Sequence, residues 1–320
     1  MKLYLIHRTN LFIVFLILHF PFKAAVSQDE YTWWNETQNW DGVTSWLQYI
    51  IFSPYYLGPN ALPIPFSQKG CIKEQFEFRM DIEGHFSKGD KTQDVFLDCY
   101  LPLLKNKIAF EFYGYPVEHY DVDEPTIIER RGRHRDGEGY ATGDFYFSAI
   151  LQLFRNKKIP DIALRMACKT ASGSDVSEAR NTDAPGYFFD LSFGKDLLFI
   201  DNFIRKIRFH GMVGFYSWQM NLTENRQNDA VLFGAGVDIS FTGFYMNHSL
   251  DGYYGYFGDE MVIVGNRDHP VPFKDRPLVY RLDLMKQTNR VDFGLGYQLG
   301  FNDFIYQTIK GSIVYHISFK

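Results

Sequence analysis

Residues 247–249 hold three side-chain types that can carry out nucleophilic catalysis. They are Asn247, His248 and Ser249, which supply an amide, an imidazole and a hydroxyl. The imidazole can take the hydroxyl proton only if both side chains point to the same side of the chain. The surrounding residues alternate between apolar and polar, and adjacent residues of a strand point to opposite faces. An ordinary strand is therefore the favoured interpretation, and a catalytic pair of His248 and Ser249, which a local bulge would bring together, is the alternative.

A second group of chemically active side chains lies within residues 120–142. Four arginines follow a short acidic stretch there: Arg130, Arg131, Arg133 and Arg135. Guanidinium groups bind phosphate through paired hydrogen bonds, so these arginines are candidates for an anion-binding surface loop. The favoured alternative is a solvated loop whose acidic and basic side chains pair with one another.

Strands must position both groups. From Cys71 onward, twelve runs alternate between apolar residues and polar or small ones, as expected for strands with two unlike faces. The run 290–301 is longer than the roughly five or six residues of a globular strand, and it suits a tilted strand that crosses a membrane. The runs are 72–86, 91–101, 107–119, 143–154, 161–170, 186–194, 205–219, 230–241, 244–258, 278–286, 290–301 and 304–319. The sequence thus predicts an all-β fold, a twelve-stranded antiparallel transmembrane β-barrel.

The polar faces of these runs carry charges of both signs. A row of ionisable side chains is costly in a protein core, but it is normal in the hydrated or salt-bridged lumen of a barrel. Interleaved signs predict a cross-linked, narrow lumen rather than a selectivity ring of one sign. The charged residues predicted to face the lumen include Arg79, Asp81, Glu111, Arg165, Arg208, Asp238, Arg281, Asp283, Arg290, Asp292 and Lys310.

The first 27 residues have the features of a secretory signal peptide. Lys2 and Arg8 precede a short apolar run, and Ala25 and Ser27 form a small-residue cleavage site before Gln28. The connections between the later runs are mostly short on the predicted inner side and mostly long on the outer side, an alternation typical of exported barrels. The predicted division is therefore a signal peptide (1–27), an N-terminal segment (28–70) and the barrel (71–320).

The N-terminal segment is rich in tryptophan and proline. Apolar residues at 43, 46, 47, 50 and 51 have helical spacing, with Asp41 as the N-cap and Pro54 after the end. This pattern predicts one short amphipathic helix. It would lie at the membrane–water interface or plug the lumen, and the interface is favoured because an apolar stripe does not suit a polar lumen.

Composition excludes several function classes. Without the signal peptide, 30 of the 33 basic residues remain against 38 acidic ones, a net charge of −8, which does not favour nucleic-acid binding. Three cysteines do not make a disulfide framework for a chain of 320 residues. His and Cys spacings typical of a metal site are lacking, as is a phosphate-binding glycine loop, so the sequence predicts neither metal nor cofactor.

The signal peptide, the alternating runs from Ile72 onward and the closing residues Tyr315, Ile317 and Phe319 resemble the Gram-negative outer-membrane β-barrel superfamily. One departure is Lys320, since such chains commonly end in an aromatic residue. The resemblance implies an outer-membrane location, contact with outer-membrane lipid, and lipopolysaccharide phosphates as the anions that the arginine loop would meet. It names no protein partner.

Three functions are consistent with such a barrel. The favoured one is a narrow transport or export conduit, or an accessory barrel of a surface-assembly system. The alternative is a lipid hydrolase, since twelve-stranded outer-membrane phospholipases carry an Asn-His-x-Ser segment, although here His248 and Ser249 are adjacent rather than two residues apart. A structural barrel that binds a partner through its outer loops is the third.

Overall fold

The computed structural model describes residues 31–104, 107–155, 158–199, 203–219, 227–263 and 270–317. The predicted signal peptide lies outside these ranges. The strands are β1 (Phe76–Ser87), β2 (Asp90–Leu103), β3 (Ile108–Val122), β4 (Glu138–Ala141), β5 (Phe145–Phe154), β6 (Asp161–Lys169), β7 (Gly186–Leu198), β8 (Ile204–Gln219), β9 (Gln227–Phe241), β10 (Phe244–Gly255), β11 (Met261–Val262), β12 (Val271–Pro272), β13 (Leu278–Lys286), β14 (Val291–Asn302) and β15 (Gln307–Ile317). The helices are α1 (Thr32–Thr37) and α2 (Glu124–Arg130), with 3-10 turns at Trp46–Tyr49 and Val176–Glu178.

Twelve of these strands form a closed antiparallel barrel. Each is hydrogen-bonded to its neighbours in the order β2, β1, β15, β14, β13, β10, β9, β8, β7, β6, β5, β3, and the pairing of β3 with β2 closes the ring. The short β4 lies beside β3, and β11 pairs with β12 in a separate hairpin. The predicted twelve-stranded antiparallel barrel is confirmed, since all twelve alternating runs overlap its strands.

The two faces of the wall have opposite chemistry. In β7, Tyr187, Phe189 and Leu191 are exposed on the outside, whereas Asp190 and Ser192 are buried inside. The same alternation recurs around the ring, so large apolar side chains form the outer surface. This surface suits lipid, and the outer-membrane barrel class and location expected from the sequence agree with it. No helix in the described ranges is long and apolar enough to span a membrane.

The barrel has two unlike ends. The long connections 123–137 and 170–185 lie at one end, called here the loop end, together with residues 256–263 and 270–277 and the tight turn at Gly89. The shorter connections, such as Thr242–Gly243 and residues 287–290, lie at the other end, called here the turn end. Strand β1 begins at the turn end, so the chain must reach that end before the barrel starts.

The predicted short helix near the N-terminus is confirmed, but it does not lie at residues 43–51. The helix near the N-terminus is α1, which lies earlier, and residues 46–49 form only one 3-10 turn. Asp41 accepts hydrogen bonds from the backbone amides of Val43 and Thr44 at 2.9 and 2.7 Å, so it caps a tight turn rather than a helix. Most residues from 43 to 51 are β-branched or aromatic, hence poor helix formers, and tertiary packing determines their conformation.

The N-terminal segment lies against the loop end and inside the barrel. The indole of Trp34 donates to the carbonyl oxygen of Arg131 in the loop after α2 at 2.9 Å, and Ser53 donates to that of Lys274 at 2.7 Å. From residue 57 to residue 73 the chain then runs through the lumen to the turn end. We call residues 57–73 the threading segment.

Candidate functional site

Wall tyrosines are hydrogen-bonded to the main chain of the threading segment at both ends of the barrel. The carbonyl oxygen of Leu57 accepts from the hydroxyl of Tyr306 at 3.0 Å, next to the start of β15 at the loop end. The backbone amide of Lys73 donates to the hydroxyl of Tyr100 at 3.2 Å, near the turn end of β2. An extended chain covers roughly 3.3 Å per residue, so sixteen steps are ample to cross a barrel of this height. Three prolines favour an extended chain: Pro59, Pro63 and Pro65.

Three wall arginines bind the main chain of the threading segment one below another. Each donates to a carbonyl oxygen: Arg281 to Ile64 at 2.7 Å, Arg165 to Phe66 at 3.0 Å, and Arg208 to Lys69 at 2.8 Å. A buried carbonyl group without a partner is costly, and the segment has no strand neighbour in this stretch. The arginines therefore replace the hydrogen bonds that a sheet would supply.

Each of these arginines is neutralised by an aspartate on a neighbouring strand or turn. The pairs are Arg281 with Asp251 at 2.7 Å, Arg165 with Asp190 at 2.7 Å, and Arg208 with Asp161 at 2.9 Å and Asp196 at 2.7 Å. All three guanidinium groups are buried. Paired and hydrogen-bonded in this way, they can stay charged inside the wall.

Apolar contacts hold the segment in the half of the lumen nearer the loop end. Leu57, Ala61, Leu62 and Ile64 belong to one buried cluster with aromatic wall residues. The wall residues of this cluster include Tyr113, Tyr146, Phe188, Tyr216, Trp218 and Tyr253. An apolar stripe therefore fits this lumen, because one part of its loop-end half is aromatic rather than charged. The interfacial placement that the sequence favoured rests on a uniformly polar lumen, which this barrel does not have.

A buried charge network joins the segment, the wall and the external loops at the loop end. Arg180, from the connection 170–185, donates to Glu118 Oε1 at 2.7 and 2.8 Å and to Asp90 Oδ2 at 2.7 Å. Arg130, the last residue of α2, also pairs with Asp90. The amide of Asn60, in the threading segment, donates to Glu118 at 2.8 Å and to Asp94 at 2.7 Å. Burial alone would lower the pKa of Arg180, but Glu118 and Asp90 raise it well above its ordinary value.

A cavity of about 340 Å³ occupies the turn-end half of the lumen. Residues 66–69 of the threading segment contribute to its lining. Among the predicted lumen residues, Arg79, Glu111, Arg165, Arg281, Asp283 and Asp292 also line it. Its wall carries both signs of charge, so it suits small polar or zwitterionic solutes better than ions of one sign.

The other predicted lumen residues pair within the barrel, with one exception. Asp81 pairs with Arg79 at 2.7 Å, Asp238 with Lys69 at 2.9 Å, and Lys310 with Asp283 at 3.0 Å. Arg290, by contrast, is exposed in the turn before β14. The alternation of residue types continues one residue beyond the strand into a turn, where side chains no longer point alternately to the two faces of the wall.

The loop arginines are placed in three different ways. Arg130 and Arg131 are buried, and Arg131 donates to the carbonyl oxygen of Tyr49 at 2.7 Å. Arg133 lies over the ring of Tyr31, 3.7 Å from its centroid. Arg135 is exposed and pairs with Glu124 at 3.2 Å. An anion-binding role for all four does not fit this arrangement, since Arg130 and Arg131 point inward and bind the protein itself.

His248 and Ser249 lie on opposite faces of β10. The ring of His248 is hydrogen-bonded to the hydroxyl of Tyr280 at 2.6 Å, and Tyr280 stands opposite Leu250 on the outer face. Ser249 is buried inside and donates to Asp251 at 2.7 Å. The ladder between β10 and its neighbours is regular here, without the bulge that would bring the two together.

The residues that fill and close the lumen have no signal in the alternating pattern. Asn60, Asp90, Glu118 and Arg180 meet from positions up to 120 residues apart, and local alternation says nothing about such contacts. One signal was available: three prolines within seven residues exclude a regular helix or central strand between residues 59 and 65.

Comparisons with known proteins show the fold alone. No family model and no curated protein matches the chain. A solved outer membrane channel from Pseudomonas putida F1 is 12% identical, with a TM-score of 0.52, over 81% of this chain and 97% of that chain. The KdgM porin is 9% identical with a TM-score of 0.43 over 76% and 99%. The beta domain of the Bordetella autotransporter BrkA is 10% identical with a TM-score of 0.41 over 77% and 100%. The chain thus has the fold of the outer-membrane β-barrel proteins.

Proposed function

We propose that this protein is a narrow outer-membrane conduit for small polar solutes and that the threading segment is its gate. The observation that carries the proposal is the position of Phe66. Its side chain borders both the 340 Å³ cavity and a smaller one of about 40 Å³ nearer the loop end. Tyr113 and Arg281 of the wall border both cavities too, so Phe66 is the residue of the threading segment that lies where the two spaces meet.

The contacts of Phe66 are those of a side chain that can move. It is only partly buried, and its ring lies 4.3 Å from the guanidinium of Arg281 and 5.3 Å from the ammonium of Lys310. A cation above an aromatic ring contributes about 0.5–2 kcal/mol, less than the core contacts of Leu62 or Ile64. A shift of this side chain breaks no bond of the barrel ladder.

The threading segment as a whole is also separable from the wall. It forms no ladder with the strands and is held by arginine–carbonyl bonds, a few side-chain bonds and apolar contacts. Units of this kind open at a lower free energy than the strands around them. The segment can therefore move while the closed ring persists.

Conductance of the full-length protein in a planar lipid bilayer tests the proposal. Phe66→Ala removes the side chain between the cavities, and we expect a larger single-channel current than in the wild type. Phe293→Ala is the matched control, since Phe293 is exposed on the outer face. Folding of each variant is verified by the heat-dependent shift of its gel mobility. A folded Phe66→Ala protein that conducts no better than the control would refute the gate.

The converse experiment holds the threading segment in place with a disulfide, called here the lock. A Cβ built on Gly234 would overlap the hydroxyl of Ser67 and the carboxylate of Asp251, so the double variant Ser67→Cys/Gly234→Cys can tie the segment to β9 once the Asp251 side chain shifts. The native cysteines are first replaced by serine: Cys71, Cys99 and Cys168. We expect lower current after oxidation and recovery after reduction. If the protein conducts but neither the lock nor Phe66→Ala changes the current, the threading segment is not a gate. If neither the wild type nor Phe66→Ala conducts, the barrel is a structural one.

The lipid-hydrolase alternative is not supported by the geometry. His248 faces outward to Tyr280 and Ser249 faces inward to Asp251. The hydroxyl therefore cannot pass its proton to that imidazole without a rearrangement of β10.

A further inference from the structure

Three potential metal ligands meet on the inner face of β1 and β2. Glu83 stands directly opposite Asp94 in the ladder, and His85 lies two residues further along β1 on the same face. One donor atom from each lies within 4.8 Å of the others. His85 Nε2 is 2.7 Å from Asp94 Oδ2 and 3.6 Å from Glu83 Oε2. Ligands about 2.1 Å from a tetrahedral zinc ion lie roughly 3.4 Å apart, so small side-chain movements suffice.

With Glu83 and Asp94 both ionised, the charges around this cluster do not balance without a cation. Asp90 and Glu118, which lie nearby, are matched by Arg130 and Arg180. Glu83 and Asp94 are left with the imidazole of His85 and with Lys310. Lys310 stands opposite Glu83, but its ammonium group is directed to Asp283 at 3.0 Å.

In both carboxylates of the cluster at least one oxygen also lacks a hydrogen-bond partner. Oδ1 of Asp94 is fully buried and accepts no hydrogen bond. Glu83 is 7% exposed, and its carboxylate makes no hydrogen bond to any residue in the described ranges, with His85 Nε2 at 3.6 Å from Oε2. Buried carboxylate oxygens are normally paired, so these atoms point to a missing partner with positive charge.

The surroundings suit an ion as well. The 40 Å³ cavity is bordered by Glu83, His85, Asn60 and Thr308. A water needs about 10–15 Å³ of such space, so an ion with a bound water can fit. The other ring nitrogen, His85 Nδ1, is hydrogen-bonded to Thr308 Oγ1 at 2.8 Å. A bond of this kind fixes the ring so that Nε2 is presented to a metal.

We propose that Glu83, His85 and Asp94 bind one divalent transition-metal ion of the zinc class inside the lumen. One imidazole with two carboxylates suits zinc or manganese, whereas calcium and magnesium prefer oxygen ligands only. The ion neutralises the two carboxylates. Because Asn60 donates to Asp94, the ion lies beside a residue of the threading segment. This site is independent of whether the segment acts as a gate.

Metal binding by the folded, full-length protein tests the site. The protein is stripped with a chelator, incubated with Zn²⁺ alone, and freed of excess ion before its metal content and its Kd are measured. We expect one equivalent in the wild type and at least about tenfold weaker binding in Glu83→Gln, His85→Gln and Asp94→Asn. The control is Glu77→Gln, a carboxylate that pairs with Lys73 near the turn end.

Either of two results would refute the proposed metal site. One is a wild type that retains no zinc, and the other is equal binding by the control and the three site variants. Should a variant fail to fold, Co²⁺ in the wild-type protein decides the matter through its visible spectrum. The bands of a four- or five-coordinate ion support the site, and the spectrum of the hydrated ion alone refutes it.

Discussion

Replacement of Arg180 by methionine measures how firmly the external loops are tied to the barrel wall. The Arg180 side chain is fully buried. It makes four hydrogen bonds: two to Glu118, one to Asp90 and one to Thr92. Methionine has a similar length but no charge and no donor. After the change Asp90 keeps Arg130, whereas Glu118 keeps only the amide of Asn60.

The expected loss in the free energy of unfolding depends on the carboxylate charge that stays buried without its arginine. Four charge-assisted hydrogen bonds at about 1.5–3 kcal/mol each would total roughly 6–12 kcal/mol. That total is too large, because the remaining carboxylates can shift or take up a proton. Removing one partner of a buried ion pair costs about 3–5 kcal/mol, and we expect this loss in the free energy of unfolding. Adding Glu118→Gln should recover about 2 kcal/mol, since the uncompensated charge is then gone.

Reversible denaturant unfolding in lipid vesicles, followed by tryptophan fluorescence, measures these differences. Arg155→Met is the control, because Arg155 pairs with Glu74 in solvent, with side chains 47% and 69% exposed. An exposed pair contributes less than about 1 kcal/mol. The reasoning fails if Arg180→Met loses no more stability than this control. It also fails if the double variant with Glu118→Gln loses the sum of the two single changes.

Three further predictions concern the segment, the loops and the sidedness of the chain. A Cβ on Gly194 would collide with the threading segment, so Gly194→Ala should raise conductance in a bilayer. A Cβ on Gly311 would meet nothing within 4 Å, so the control Gly311→Ala should leave conductance unchanged. Burial raises the pKa of Asp275 in the folded protein, so stability should fall as the pH rises from the unfolded-state pKa to the folded-state pKa. In Asp275→Asn that fall should be absent, as unfolding measured from acid to neutral pH will show. The last prediction uses a protein without native cysteines and an impermeant thiol reagent added to intact cells. The reagent should label Val43→Cys, because Val43 is 88% exposed at the loop end. It should not label Thr242→Cys, which lies at the turn end. Labelling of the second variant alone would reverse the orientation.

The barrel could be predicted from the sequence because each strand carries its own signal. In β15, Ile309, Ile313 and Tyr315 face outward between Lys310 and Ser312, and the period of two specifies both the strand and its faces. Tertiary packing then determines only where each strand ends. The exposed position of Arg290 shows that limit, because alternation continues by chance into a turn.

The contents of the lumen could not be predicted in the same way. Residues 57–73 have no regular repeat, and their partners are distant in sequence, as in the contact of Asn60 with Glu118. The burial of Arg131 depends on a carbonyl oxygen of Tyr49, 82 residues away. A run of arginines in a loop is normally solvated, and only the assembled barrel shows that this one supplies internal partners.

The threading segment adds one crossing of the barrel to the twelve that the strands make. Twelve strands alone would return both ends of the barrel to one side, but the additional pass through the bore makes an odd number of crossings. Tyr31 and Ile317 therefore lie at opposite ends of the molecule. The ring closes where β15 pairs with β1, the strand that follows the segment directly. If the segment is already in place beside the early strands, this last pairing encloses it and no free end needs to be pulled through. In that order of assembly, the contents of the barrel precede its closure.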